Sequence, residues 1–232
     1  MFLPGDVISH SEMCTEESRM LQAGMHYLCG GDYSVVLMSK RPGAPYEDEV
    51  QEDGRVLIYE GHDWAKSKQH LNPKTVDQPV RNSSGTLTQN GKFFEAARRH
   101  ASDKREPELV RVYEKLYAGI WVYNGVFELV DAWLAESNGR KVFKFRLELT
   151  DQGVDAQQSR VNPIIEHARL IPTSVKREVF KRDGGKCVQC GASDNLHFDH
   201  ILPYSKGGTS LKAENIQLLC ARHNIEKRDK IL

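Results

Sequence analysis

The sequence predicts an α+β protein in two parts, a β-rich N-terminal domain and a small C-terminal β-β-α module. Three observations predict it. The first 150 residues are dense in short β-branched and aromatic runs punctuated by Gly, Pro, Asp and Asn. Two metal-ligand knuckles, Cys187-Val-Gln-Cys190 and Cys220-Ala-Arg-His223, frame the last part of the chain. Between the parts, residues 151–173 are polar and proline-punctuated, which reads as a linker. The expected boundaries are therefore 1–150, 151–173 and 174–232.

The strands of the first part are expected at residues 33–38 (YSVVLM), 55–59 (RVLIY), 109–113 (LVRVY), 119–123 (GIWVY) and 141–147 (KVFKFRL). One helix is expected over 91–100 (GKFFEAARRH), where aromatics and alanines precede a basic last turn. The linker leaves room for a short helix near 164–170. Residues 174–182 (SVKREVFKR) read as a helix capped by Ser174 and stopped by Asp183-Gly-Gly185. In the last module, alternation over Leu196–Ile201 predicts a strand, Gly207-Gly208 a chain reversal, Ile216–Leu219 a second strand, and residues 221–230 a charged helix.

Bulk properties exclude several classes. No apolar run approaches the roughly 20 residues that a membrane span needs, and MFLPGDVISHSEM lacks the layout of a signal peptide. Five cysteines, three of them near the C-terminus, are not a secreted disulfide framework. Cys14 and Cys29 read as plain buried thiols, and a reducing, cytoplasmic setting is expected. Net charge is zero but uneven: residues 174–232 carry 11 Lys/Arg against 7 Asp/Glu, the remainder 21 against 25. A basic module on a mildly acidic body fits local phosphate contact rather than blanket polyanion binding.

A lone CxxC could be a redox pair, but the CxxH partner supplies four soft or borderline ligands, which is what tetrahedral Zn²⁺ requires. The motive is physical, since residues 174–232 are too few for a strong core of their own. His223 has two readings: by spacing it completes the zinc site, by its letter it could touch a catalytic ion. Lys176, Arg177, Lys181, Arg182, Lys206, Lys227 and Arg228 are candidate phosphate contacts, and His197 is a solvated strand residue or a DNA contact.

The pattern CxxC…DHIxPxSxGG…N…CxxHNxxK, spanning 174–232, resembles the HNH endonuclease family. The resemblance implies a metal-dependent nuclease in which His200 is the general base, an imidazole being suited to proton abstraction at neutral pH. It implies that Asp199 and Asn224 hold one catalytic Mg²⁺ or Mn²⁺ through hard oxygens, and that Asn215 pins the loop between the strands.

Within 25–150, the segments Gly31–Leu37, Tyr46-Glu-Asp-Glu49, Asp53-Gly54, Ile58–Gly61, Asp77-Gln78, Val110–Val112 and Tyr123-Asn-Gly-Val-Phe127 are similar in order and spacing to the SRA (SET- and RING-associated) domain. That resemblance implies a β-barrel-type fold and binding of duplex DNA carrying 5-methylcytosine or 5-hydroxymethylcytosine, with the modified base flipped out. Tyr46 and Tyr59 would sandwich the base, and Glu49 or Asp48 would accept from its N4 amino group. The sequence departs from the family at Tyr123-Asn124-Gly125, where the family has YDG, at Pro45, and at Glu49, where an Asp is usual. Without the resemblance these tyrosines read equally as core or loop residues.

An SRA-like reader joined to an HNH nuclease resembles the modification-dependent restriction endonucleases of bacteria. One HNH site cuts one strand, so double-strand cleavage implies a homodimer. The rival readings are a nuclease or nickase that reads unmodified DNA, and a non-catalytic reader of modified DNA.

Overall fold

A computed structural model describes residues 2–29, 31–40, 43–44, 46–51, 54–68, 71–103, 105–150, 170–203 and 206–227. In chain order its elements are β1 (Val7–Ser9), α1 (His10–Glu16), β2 (Met25–His26), β3 (Ser34–Met38), β4 (Glu49–Gln51), β5 (Val56–Glu60), α2 (Gln89–Asp103), β6 (Glu108–Tyr117), β7 (Ile120–Ser137), β8 (Arg140–Leu149), α3 (Thr173–Arg182), β9 (Leu196–His200), β10 (Ile216–Cys220) and α4 (Ala221–Lys227). The chain is thus mixed α+β, as expected. Most of the linker reading, with its short helix, falls on residues 151–169, outside the described residues.

The N-terminal strands form one eight-stranded sheet in the order β2-β3-β6-β7-β8-β5-β4, with β1 also paired to β7. Only β3 and β6 run parallel. On α2, Phe93, Ala96 and Ala97 recur at the i, i+3, i+4 spacing of a helix face. They are buried against Phe127, Leu129, Phe143, Phe145 and Leu147 of the sheet.

The expected strand over 119–123 is the start of a strand that runs on to Ser137. Asn124-Gly125 is a β-bulge within it: Val112 pairs with Gly125 and Tyr113 with Tyr123, leaving Asn124 unpaired. Gly125 adopts φ +105°, which explains its place there. Helix α1 escaped the sequence reading, although Ser9 and Glu12 form a full capping box.

The C-terminal module is a β9–β10 hairpin, with Ile216 opposite His200 and Cys220 opposite Leu196, flanked by α3 and α4. Ser174 does not cap α3; the N-cap is Pro172, with no side-chain bond, and the Thr173 hydroxyl instead reaches Glu114 of β6. Asp183-Gly-Gly185 does stop the helix, with both glycines at positive φ and the Gly185 amide donating to the Phe180 carbonyl at 3.0 Å.

The two parts share one apolar cluster. Leu116 of β6 and Val122 of β7 pack with Ile171, Val175, Val179, Leu196, Phe198 and Leu218. At its edge, Lys176 Nζ donates to Glu114 Oε2 and to Asn124 Oδ1, each at 2.6 Å. Burial, the strongest influence on Glu114, pushes its carboxyl up. The Lys176 ammonium and bonds from Lys176, Thr173 and Asn124 outweigh it, so the carboxyl lies below its ordinary value.

Candidate active site and metal centre

Asp199, His200, Lys227 and Gln217 meet at one end of the hairpin, and the Cys₃His cluster lies at the other. Asp199 and His200 close β9. His200 Nε2 lies 2.9 Å from Ser210 Oγ, which leaves Nδ1 to take a proton. Burial lowers the His200 pKa, against the pull of the Asp199 carboxylate. The ring is therefore a neutral base at neutral pH.

Asp199 Oδ2 accepts from Gln217 Nε2 at 3.1 Å and pairs with Lys227 Nζ at 3.0 Å. Both contacts use Oδ2, so Oδ1 is the oxygen with which Asp199 would grip a cation. Lys227 also donates to the His200 carbonyl at 2.6 Å. One buried ammonium from α4 thus holds the end of the strand that carries both residues.

Asn215 fastens the loop after β9. Its Oδ1 accepts from the Leu202 amide at 2.8 Å, and its Nδ2 donates to the carbonyls of Leu202 and Thr209 at 3.1 and 3.0 Å. Gly208 is required here, because a Cβ would sit 1.8 Å from the Leu202 carbonyl oxygen. Asn224 lies half-buried on α4, one residue past His223.

The ligand atoms of Cys187, Cys190, Cys220 and His223 all lie within 4.8 Å of one another. Cys190 and Cys220 sulfurs are 3.8 Å apart, and His223 Nδ1 is 3.2 Å from Cys187 Sγ and 3.5 Å from Cys220 Sγ. Zn–S bonds of about 2.3 Å in a tetrahedron put sulfurs about 3.8 Å apart, so the cluster fits zinc. Its use of His223 answers the two readings of that residue in favour of the Cys₃His set.

Several expected phosphate contacts need correction. Lys176 and Lys227 are 1% and 2% exposed and bound to internal acceptors, so neither can reach a phosphate. Charge in the sequence does not reveal burial when the partner is distant, as Glu114 is from Lys176. Arg182 braces α3 to the carbonyls of Ala213 and Ile216 at 2.8 and 2.7 Å, and Arg177 donates to the Leu116 carbonyl at 2.9 Å. Lys181 and Lys206 are exposed; Arg228 lies outside the described residues. His197 is partly buried, and its Nδ1 meets Asp6 Oδ1 at 2.8 Å.

In the N-terminal domain a cavity of 530 Å³ is lined by Tyr46, Asp48, His62, Lys115 and Trp121, among others. Tyr46 and His62 stack with ring centres 4.8 Å apart and planes 8° from parallel. Burial lowers the His62 pKa to about 4, which keeps the ring neutral. Asp48 accepts from the amides of Ser39 and Glu60 at 3.2 and 3.1 Å, yet burial raises its pKa to about 7.

Two pocket expectations are corrected. Glu49 is exposed on β4, and Asp48 is the carboxylate at the cavity. Tyr59 is fully buried behind it, its hydroxyl on the Gly24 carbonyl at 2.9 Å and His62 Nε2 at 3.0 Å. The ring that stacks on Tyr46 is His62, which sequence reasoning missed. Its signal was faint, since only its closeness to Tyr59 in sequence marked it. Gly24 leaves room for it: a Cβ there would meet the His62 ring at 2.6 Å.

Comparison with known proteins agrees with this division of labour. The SAD/SRA domain family matches residues 9–152 and the HNH endonuclease family residues 187–230. No curated protein matches the chain. Among solved structures, the SUVH5 SRA domain in complex with hemi-methylated CG DNA is 23% identical, covering 66% of this chain and 94% of that one, with a TM-score of 0.43. KRYPTONITE in complex with mCHH DNA, an H3(1-15) peptide and SAH is 17% identical over 65% of this chain and 32% of its own, with a TM-score of 0.44. The Type IV phosphorothioation-dependent restriction endonuclease ScoMcrA is 17% identical over 100% of this chain, which spans 53% of its length, with a TM-score of 0.42.

Fold and site together define a two-module class, a β-rich sheet domain carrying a β-β-α nuclease module. The chain belongs to the SAD/SRA domain family, and its C-terminal part is an HNH endonuclease domain, which makes the protein a DNA endonuclease.

Proposed function

We propose that the protein is a modification-dependent restriction endonuclease that reads 5-methylcytosine or 5-hydroxymethylcytosine in duplex DNA and hydrolyses phosphodiester bonds. One observation carries this reading: a single chain holds both a cavity with an aromatic stack beside a buried carboxylate and an Asp199–His200 pair on a zinc-type β-β-α module. At 530 Å³ the cavity falls within the roughly 300–1,000 Å³ of small-molecule pockets, ample for a nucleobase. A flipped cytosine would regain stacking beside Tyr46 and His62 and place its amino group at Asp48.

At the nuclease site His200 would take a proton from the attacking water through Nδ1, with Ser210 fixing the ring. Asp199 and Asn224 would hold one Mg²⁺ or Mn²⁺, a set of hard oxygen donors that suits such ions. The ion would stabilise charge on the phosphate and the leaving oxygen. Lys227, Gln217 and Asn215 are positioning residues. Lys181 and Lys206 would supply phosphate contacts, zinc would fill the Cys₃His cluster, and two copies would meet to cut both strands. A bacterial cytoplasmic setting accords with this role.

The test is a cleavage panel of methylated, hydroxymethylated and bare duplexes, each with Mg²⁺, Mn²⁺ or EDTA. Cutting confined to modified duplex and abolished by EDTA is expected. Equal cutting of bare DNA would replace the reading with an unspecific nuclease or nickase, and binding without cutting with a non-catalytic reader.

A further inference from the structure

The joint between the two modules is more specific than a tether requires. Residues Gly5 and Asp6 form a strap hydrogen-bonded on both sides. The Gly5 amide donates to the Tyr123 carbonyl at 2.8 Å, and the Tyr123 amide donates to the Asp6 carbonyl at 3.0 Å, which fixes the strap to β7. On its other side the Phe198 amide donates to the Gly5 carbonyl at 3.0 Å, next to Asp199 and His200 on β9. Gly5 sits at φ +102°, and a Cβ there would lie 3.0 Å from the Phe198 carbonyl oxygen. The left-handed backbone strains any side chain here, and the approach leaves it crowded.

Beside the strap, the buried Lys176 ammonium meets Glu114 and the bulge residue Asn124. Asn124 accepts from Lys176 while its Nδ2 donates to Glu114 Oε2 at 3.1 Å. An amide can do both; a carboxylate cannot. A shift of one module against the other would strand a charge inside the apolar cluster, so this triad admits a single register.

The hairpin that carries these contacts has two faces. Lys115, Gly119 and Trp121 line the cavity, while Leu116 and Val122 pack on the nuclease module.

We infer that the distance from the read base to the cut is set by this docked joint, with Gly5, Glu114, Asn124 and Lys176 as its positioning residues, and not by the length of the segment that links the modules. The inference rests on the proposed reading of a modified base, and its test separates the two. Full-length protein with Mg²⁺ is given duplexes carrying one 5-methylcytosine, and cuts are mapped on both strands. Uniform cutting irrespective of the mark, or none, at this first step would end the proposed function itself.

Given marked cutting, a Gly-Ser insertion of about ten residues between Asp155 and Ala156 is introduced. Its reach of about 17 Å corresponds to about five base pairs at 3.4 Å each. The insertion is expected to leave the cut bonds where they were, and displacement or broadening of the cuts by several base pairs would overturn the inference. Gly5→Val and Lys176→Met are expected to spread the cuts over neighbouring bonds, and the charge-free pair E114Q/K176M to sharpen them again relative to K176M. Cuts in folded Gly5→Val and K176M protein as sharp as in the unaltered enzyme would also count against it. Should either variant fail to fold, the insertion alone decides.

Discussion

In the proposed mechanism hydrolysis turns on His200, and its exchange tests that role without touching the Cys₃His cluster. His200→Ala is expected to lose about 10²- to 10⁴-fold in cleavage rate, with melting temperature and zinc content unchanged. In the cavity, Tyr46→Ala removes one face of the aromatic stack. A base–aromatic stack is worth about 1–3 kcal/mol, so methylated-duplex affinity should fall roughly 5- to 150-fold, read by fluorescence anisotropy.

Asp48 gives a pH dependence with a definite sign. Burial raises its pKa from 3.8 to about 7, so the folded protein holds this proton more tightly than the unfolded chain. Its contribution to stability is greatest below about pH 4 and is lost as pH rises to about 7. A bound cytosine amino group favours the charged carboxylate, so affinity should rise with pH up to about 7 and then level off. Asp48→Asn should flatten that profile, and an unchanged profile would remove Asp48 from the pocket. At this scale the sequence was legible where spacing is local, as in the gathering of Cys187, Cys190, Cys220 and His223 and the Asn215 bonds that fasten the loop. It was misleading at Lys176, Lys227, Glu49 and Tyr59, where burial decides and a neighbour remote in sequence sets the burial.

Elements were legible where a periodic pattern is local. The strand cores, α2, α3 and the β9–β10 hairpin all follow from alternation, helical spacing and glycine stops. The sequence was less legible where a break signal is overridden: Asn124-Gly125 reads as a turn, yet β6 and β8 on either side hold it in a long bulged strand. A zinc ion in the cluster would staple the C-terminal elements, which also pack on Leu116 and Val122. Cys220→Ser, or prolonged chelation, should therefore loosen residues 174–232 and, because the apolar cluster is shared, lower the melting temperature of the whole protein. Unchanged melting and zinc content in that variant would dispose of the metal's structural role. The loop after β9 has a similar test, because Gly208→Ala forces a Cβ against the Leu202 carbonyl. Cleavage should drop with the zinc content intact.

For the molecule as a whole, the shared apolar cluster and the buried ion triad make reader and nuclease one packed body among the described residues. Removing one partner of such a pair leaves an uncompensated charge, typically at about 3–5 kcal/mol. Lys176→Met should thus lower the melting temperature, and E114Q/K176M should recover much of the loss. None of this was visible in the sequence, which read α3 as a basic helix facing DNA. The helix instead turns Lys176 inward to a partner on β6, and no local pattern announces that pairing.

The strap at Gly5 and Asp6 bears on how the molecule is made. His197 and Asp6 are 191 residues apart in the chain, so this seam cannot close until residue 197 has left the ribosome. Domains tend to fold as units in order of synthesis, and contacts of such long range are slow to form. A nascent chain would therefore own a finished reader before its scissors were mounted. The family match begins at residue 9, so an expression boundary drawn there would discard the very residues that complete the assembly.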